Sequence, residues 1–311
     1  MANLQSLVKE HYTTVLKGFA MGIADIVPGV SGGTIAFITG IYDNLIKSIS
    51  SVDKTFIALV LKFKIKEAFN HLNGSLLVPL FIGIFAAIIS MSKIIHYLMN
   101  EYPTYTWSLF FGLILASIIY IGKQIKDLKS PKSFLTIAFG TIVAYLIVSL
   151  IPAQTPNSTL YIFGSGMIAI CAMILPGISG SFLLLILGKY AFITGAVKSP
   201  FDPGSLEIIF IFGVGCLKGI LSFSKVLNYL LSNFHNLMMA FLTGFMIGSM
   251  KKIWPWKETL ETTVIRGKTY ILKEENILPA TFDSTLVIAI ILMTIGFVLV
   301  LGIEKMAKSK N

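Results

Sequence analysis

The chain has 311 residues, 55% hydrophobic and 13% charged, with a mean hydropathy of +0.82. A soluble domain carries about 25% charged residues, and several apolar runs here reach the roughly 20 residues that cross a bilayer, so the composition excludes a soluble protein and points to an all-α polytopic membrane protein. The net charge of +10 is almost wholly lysine, since Arg266 is the only arginine; it lies in short loops between apolar runs, which is the positive-inside pattern and argues against a nucleic-acid partner.

Residues 1–14 are polar and expected at the cytoplasmic face. They lack a short apolar core before a small-residue cleavage site, so no cleaved leader is expected. An apolar run over 15–49 is interrupted at 28–34, PGVSGGT. Residues 50–74 mix lysines with apolar positions and read as one amphipathic interfacial helix. Three spans are expected at 76–98, 105–122 and 133–151, with a basic loop, GKQIKDLKSPK, between the last two. The loop 152–160 has no charge. A second apolar run, 161–188, is interrupted at 176–181, PGISGS, and three more spans are expected at 206–231, 237–253 and 285–303. The segment 254–284 reads as a long polar loop and the tail as basic. Cys171 and Cys216 read as small core residues. The four histidines, His11, His71, His96 and His235, show no metal-ligand spacing, so neither a metal nor another cofactor is expected.

The chain repeats itself. Pro28-Gly29-Val30-Ser31-Gly32 matches Pro176-Gly177-Ile178-Ser179-Gly180 at a shift of 148 residues (176 − 28), and Ser92-Lys93 matches Ser224-Lys225 at a shift of 132 (224 − 92). The predicted units are 1–155 and 156–311. Each is a broken, re-entrant helical hairpin followed by three transmembrane helices. Three crossings per unit invert the second relative to the first, and the loop lysines agree, with both termini cytoplasmic. Inverted repeats with broken helices near the midplane are a transporter architecture.

Pro28, Gly29, Pro176 and Gly177 break the helices, because proline lacks a donor and glycine carries an entropic cost. Ser31 and Ser179 are expected to cap the half-helices that follow. Free N–H groups over Ser31, Gly32, Gly33 and Thr34, and over Ser179, Gly180 and Ser181, suit a phosphate or carboxylate. Lys93, Lys218 and Lys225 lie within apolar spans as candidate headgroup contacts, with snorkelling as the alternative. Asp25 has no acidic counterpart, since Met173 fills its place; it is a candidate for binding H⁺ or Na⁺, or a cap for neighbouring N–H groups. Gly29-Val30-Ser31-Gly32-Gly33 also fits the G-x-S-x-G of serine hydrolases, but neither copy has a matched histidine to serve as base.

GFAMGIADIVPGVSGGTIAFITGIYDNLI, with LPGISGSFLLLILGKY, resembles the signature segments of a bacterial membrane family long carried as a domain of unknown function and described as polyprenyl-phosphate transporters, or undecaprenyl-phosphate translocases. The resemblance covers essentially the whole chain. It implies a flippase that recycles undecaprenyl phosphate from the outer to the inner leaflet of the bacterial cytoplasmic membrane, in support of cell-wall synthesis. It carries over Asp25, Pro28, Gly29, Ser31, Gly32, Gly33, Thr34, Pro176, Gly177, Ser179 and Gly180; Ser181 departs from the glycine of the first copy. A soluble-anion transporter, a proton-coupled ion transporter and an intramembrane serine hydrolase are the other readings.

Overall fold

The computed structural model describes residues 2–153, 155–265, 268–279 and 282–308, with side chains described for 11–153, 155–262, 274–279 and 282–305. Among these are fourteen helices and one β-hairpin. The first half runs α1 (Ala2–Ile26), α2 (Gly32–Ile38), α3 (Tyr42–Ser50), α4 (Lys54–Leu61), α5 (Ile65–His71), α6 (Gly74–Glu101), α7 (Pro103–Gly122) and α8 (Pro131–Val148). The second runs α9 (Thr159–Ile174), α10 (Gly180–Ile186), α11 (Tyr190–Lys198), α12 (Ser205–Asn233) and α13 (His235–Ser249). The antiparallel strands β1 (Lys257–Ile265) and β2 (Lys268–Asn276) and then α14 (Ser284–Lys308) complete it.

Helices α6, α7, α8, α12 and α14 are long and apolar enough to cross a membrane, and the pair α10–α11, bent by 116°, passes the same test when taken together, as a broken span or a re-entrant hairpin. The chain is therefore a multi-pass membrane protein. Their starts follow from local chemistry. Proline opens α7 and α8, where its missing N–H costs nothing, and the Ser130 hydroxyl accepts the Ser133 N–H of α8.

Three expectations need correction. The segment 50–74 is not one interfacial helix: α4 and α5 meet at Phe63, whose φ of 57° lies in the left-handed region, and Ile57, Leu61, Phe63 and Ile65 are exposed. The segment 254–284 is not a plain loop, because β1 and β2 pair within it. The helix expected at 237–253 stops at Ser249, and its 15 residues span only about 22 Å.

The long helices pack in four pairs: α1 with α6, α9 with α12, α7 with α14, and α8 with α13. Glycine makes the close approaches possible. A Cβ on Gly83 would lie 2.1 Å from the Val15 carbonyl oxygen of α1, and one on Gly215 2.2 Å from the Phe163 oxygen of α9. A Cβ on Gly112 would lie 1.9 Å from the Met293 oxygen of α14, and one on Gly244 2.0 Å from the Ile137 oxygen of α8. Both pairs are related by the shift of 132 residues (215 − 83, 244 − 112) that the sequence repeats. At the core lies α2, all seven of whose residues are buried. The same core cluster holds Val27, Val30, Ile114, Met239, Leu242 and Met246.

Candidate functional site

The two breaks have one design. After α1 the chain turns through Gly29 (φ +89°) into α2, capped by Ser31; after α9 it turns through Gly177 (φ +96°) into α10, capped by Ser179. Both glycines occupy backbone space that a side chain strains. Each seven-residue half-helix then ends at a further left-handed glycine, Gly40 (φ +70°) or Gly188 (φ +64°), before a nine-residue helix.

The breaks are bonded to each other. The Gly29 N–H donates to Ser179 Oγ (2.9 Å), and Ser31 Oγ donates to the Met173 carbonyl (2.8 Å). A Cβ on Gly33 would lie 2.5 Å from the Ile174 carbonyl oxygen, so the start of α2 abuts the end of α9.

The N–H groups expected to hold phosphate mostly hold the protein's own oxygens. Gly32 N–H donates to Asp25 Oδ1 (2.7 Å), Gly33 N–H to Ser31 Oγ (3.0 Å) and Thr34 N–H to the Ser31 carbonyl (3.0 Å). At the second break Ser179 Oγ accepts from Phe182 N–H (3.3 Å) and lies 3.2 Å from Ser181 Oγ. Asp25 thus accepts one N–H at the start of α2 beside the Ser31 cap. Neither serine is hydrogen-bonded to a histidine among the described residues; His71 faces Asp53 and His235 faces Asp43. The buried Thr34 Oγ1 and Tyr42 hydroxyl have no partner among the described residues.

The lysines that line the larger cavity are Lys251, Lys252 and Lys257, not the three expected as headgroup contacts. Lys93 on α6 and Lys218 and Lys225 on α12 are exposed on the outer faces of their helices and line neither cavity described here. A cavity of about 770 Å³ reaches Pro28 at the first break and Phe182 on α10, and its polar wall carries Lys251, Lys252, Lys257 and Glu274. The ends of α6, α7 and α8 enclose it with Ile95, Met99, Trp107, Leu150 and Ile151. Lys252 crosses the first break: its Cγ would lie 3.0 Å from a Cβ on Gly29, and its Nζ sits 4.9 Å from the centre of the Phe182 ring. Lys257 Nζ sits 4.2 Å from the centre of the Trp107 ring, and Lys251 Nζ donates to Ser149 Oγ (2.7 Å). Glu274 Oε2 accepts from Lys252 (3.0 Å) and Lys257 (3.3 Å). Burial, reinforced by neighbouring Lys252 and opposed by Glu274, pushes the Lys257 ammonium down to about 8. The two lysines hold the Glu274 carboxyl below its usual range despite burial, which acts the other way. Sequence reasoning missed this cluster. Its signal was the run KKIWPWK straight after an apolar segment.

A second cavity, about 260 Å³, lies at the far end of α2. Phe37, Gly40, Tyr42, Asp43, Tyr120, Lys123, His235 and Glu304 are among its walls. Helix α2 therefore runs from the break beside one cavity to the wall of the other.

Comparison with known proteins gives the same outline. The model of a family described as undecaprenyl phosphate translocase-like matches residues 21–270, which include both breaks and all three cavity lysines. A protein of Vibrio cholerae serotype O1 named polyprenyl-phosphate transporter is 45% identical over 305 residues, 96% of this chain and 97% of that one. One of the same name from Staphylococcus aureus is 33% identical over 258 residues, 78% of this chain and 86% of that one. No solved structure matches. With a family model matched over most of its length and one relative aligned nearly end to end, the chain belongs to the undecaprenyl phosphate translocase-like family.

Proposed function

We propose that this chain is a transporter that moves undecaprenyl phosphate from the outer to the inner leaflet of the bacterial cytoplasmic membrane, returning the carrier for cell-wall polymer synthesis. The observation that carries the reading is the larger cavity, which has an apolar wall of Ile26, Ile95, Met99 and Leu185 and a cationic wall of three lysines. Such a lining suits an amphiphile with an anionic head better than a soluble anion. A phosphate crossing hydrocarbon unaccompanied meets a prohibitive desolvation cost.

The halves act as inverted repeats, and the loop lysines put the larger cavity at the outer face and the smaller at the inner. Between them α2 spans about 10 Å. Alternating access is a rearrangement of the two breaks about the Ser31 and Ser179 bonds, while the prenyl chain stays in the bilayer. Asp25 is the acid placed to couple that rearrangement to H⁺ or Na⁺, because protonation or ion binding competes with its bond to the Gly32 N–H.

Proteoliposomes test this. The chain should speed movement of undecaprenyl phosphate between leaflets, and excess inorganic phosphate should slow it only in part, because it shares the headgroup charge but lacks the apolar chain that the cavity's other wall accommodates. A rate equal to that of protein-free vesicles rejects the reading. A rate abolished by inorganic phosphate favours a soluble-anion transporter instead.

A further inference from the structure

We propose that Lys252 and Lys257 are the headgroup-binding pair and that Glu274 is a resident counter-anion, which selects for a phosphomonoester dianion over the phosphodiester monoanions of bulk phospholipid. The inference rests on the reading of the chain as a polyprenyl-phosphate transporter and adds the residues and the basis of selection.

The geometry is that of an occupied anion site. One oxygen, Glu274 Oε2, lies within hydrogen-bond distance of both ammonium groups. Each ammonium also lies over an aromatic ring, Trp107 or Phe182, so both cations stay seated when the carboxylate leaves. The Lys257 side chain is only 9% exposed, and it donates a further bond to the Lys252 carbonyl (2.6 Å), which ties the two lysines together. An oxygen of a phosphate set at the Oε2 position would meet the same two donors.

Selection follows from charge. Glu274 cancels half the charge of the pair, so an incoming headgroup must displace one negative charge. A singly charged phosphodiester offers these lysines no more charge than Glu274 already does, and the exchange gains it little. A phosphomonoester carries a charge of about −1.5 to −2 near neutral pH and outcompetes the carboxylate. Since the Lys252 stem lies against Gly29, the exchange takes place at the break itself.

The test is binding of a fluorescent short-chain polyprenyl phosphate to the full chain in detergent, with phosphatidylglycerol and inorganic phosphate as competitors. For the wild type, phosphatidylglycerol should compete poorly. Glu274→Gln should strengthen phosphatidylglycerol competition by about tenfold or more, since a charge facing two lysines is removed. Glu274→Asp, which keeps the charge, should leave selectivity near wild type. Lys252→Gln and Lys257→Gln should each weaken polyprenyl phosphate binding by about tenfold or more, the scale of a lost bond to a charged group. Unchanged selectivity in Glu274→Gln, or weaker phosphate binding in that variant with an unaltered melting temperature, overturns the proposal. Failure of the transport reading looks different. The wild type would then bind inorganic phosphate but not the polyprenyl phosphate, while the same substitutions still shifted inorganic phosphate binding.

Discussion

Lys257 and Glu274 show how burial and pairing oppose each other at one point. The ammonium is nearly enclosed, and its value near 8 lies below the ordinary 10.5. Between those values the unfolded chain binds the proton that the folded chain has released, so stability rises with pH across that window. Glu274 is the group that pulls the value up, so Glu274→Gln should lower it further. An amine reagent that attacks only the neutral amine should label Lys257 with a midpoint near 8, and at lower pH in the variant. A midpoint in the ordinary lysine range, or one that rises in the variant, contradicts this environment. The serines of the breaks were legible as caps from sequence, because capping is a local matter of a hydroxyl and an N–H two or three residues on. Their bonds across the molecule were not, since Gly29 and Ser179 are 150 residues apart in the chain. The same limit explains the lysines. Lys93, Lys218 and Lys225 stood out because they interrupt apolar runs, yet their side chains are exposed and line neither cavity. Lys252 and Lys257 gain their meaning only from Phe182, Trp107 and Glu274, which chain folding brings to them.

The helix pairs rest on backbone contacts that glycine permits. Most of the spans were readable, because a run of apolar residues is a one-dimensional signal. Which helices pair was not, and the expected span was carried past Lys251 and Lys252 to Ile253, whereas α13 ends at Ser249. Hairpin and loop share a polar composition, which is why β1 and β2 went unseen. The pairing makes a graded prediction. Gly112→Ala would drive a methyl into the Met293 carbonyl, and Gly244→Ala one into the Ile137 carbonyl, whereas Gly164 in α9 has nothing within 4 Å of its Cβ position. The first two should each destabilise by about 1–3 kcal/mol, the usual cost of overpacking. Gly164→Ala should be neutral or stabilising by up to about 1 kcal/mol, as a helical glycine replaced by alanine. Thermal unfolding in detergent measures all three; equal melting temperatures for Gly112→Ala and Gly164→Ala would contradict the packing.

On the scale of the whole molecule, two cavities lie at opposite ends of α2, and the paired breaks stand beside the larger. In the sequence PG-x-SG recurs in order with its neighbours, and the glycine contacts of α6 and α12, and of α7 and α13, fall at the same shift of 132 residues (215 − 83, 244 − 112). The cavities were not legible, since each is walled by segments from both halves. In the proposed cycle the phosphate headgroup travels through the protein along α2 and not over its lipid-facing surface. A polyprenyl phosphate with a photoreactive group beside the phosphate tests this most directly in reconstituted membranes. Cross-links are expected at Trp107 and Phe182 in the larger cavity and, under transport conditions, at Tyr42 and Tyr120 in the smaller. Cross-links confined to the neighbourhoods of Lys93, Lys218 and Lys225 would contradict it.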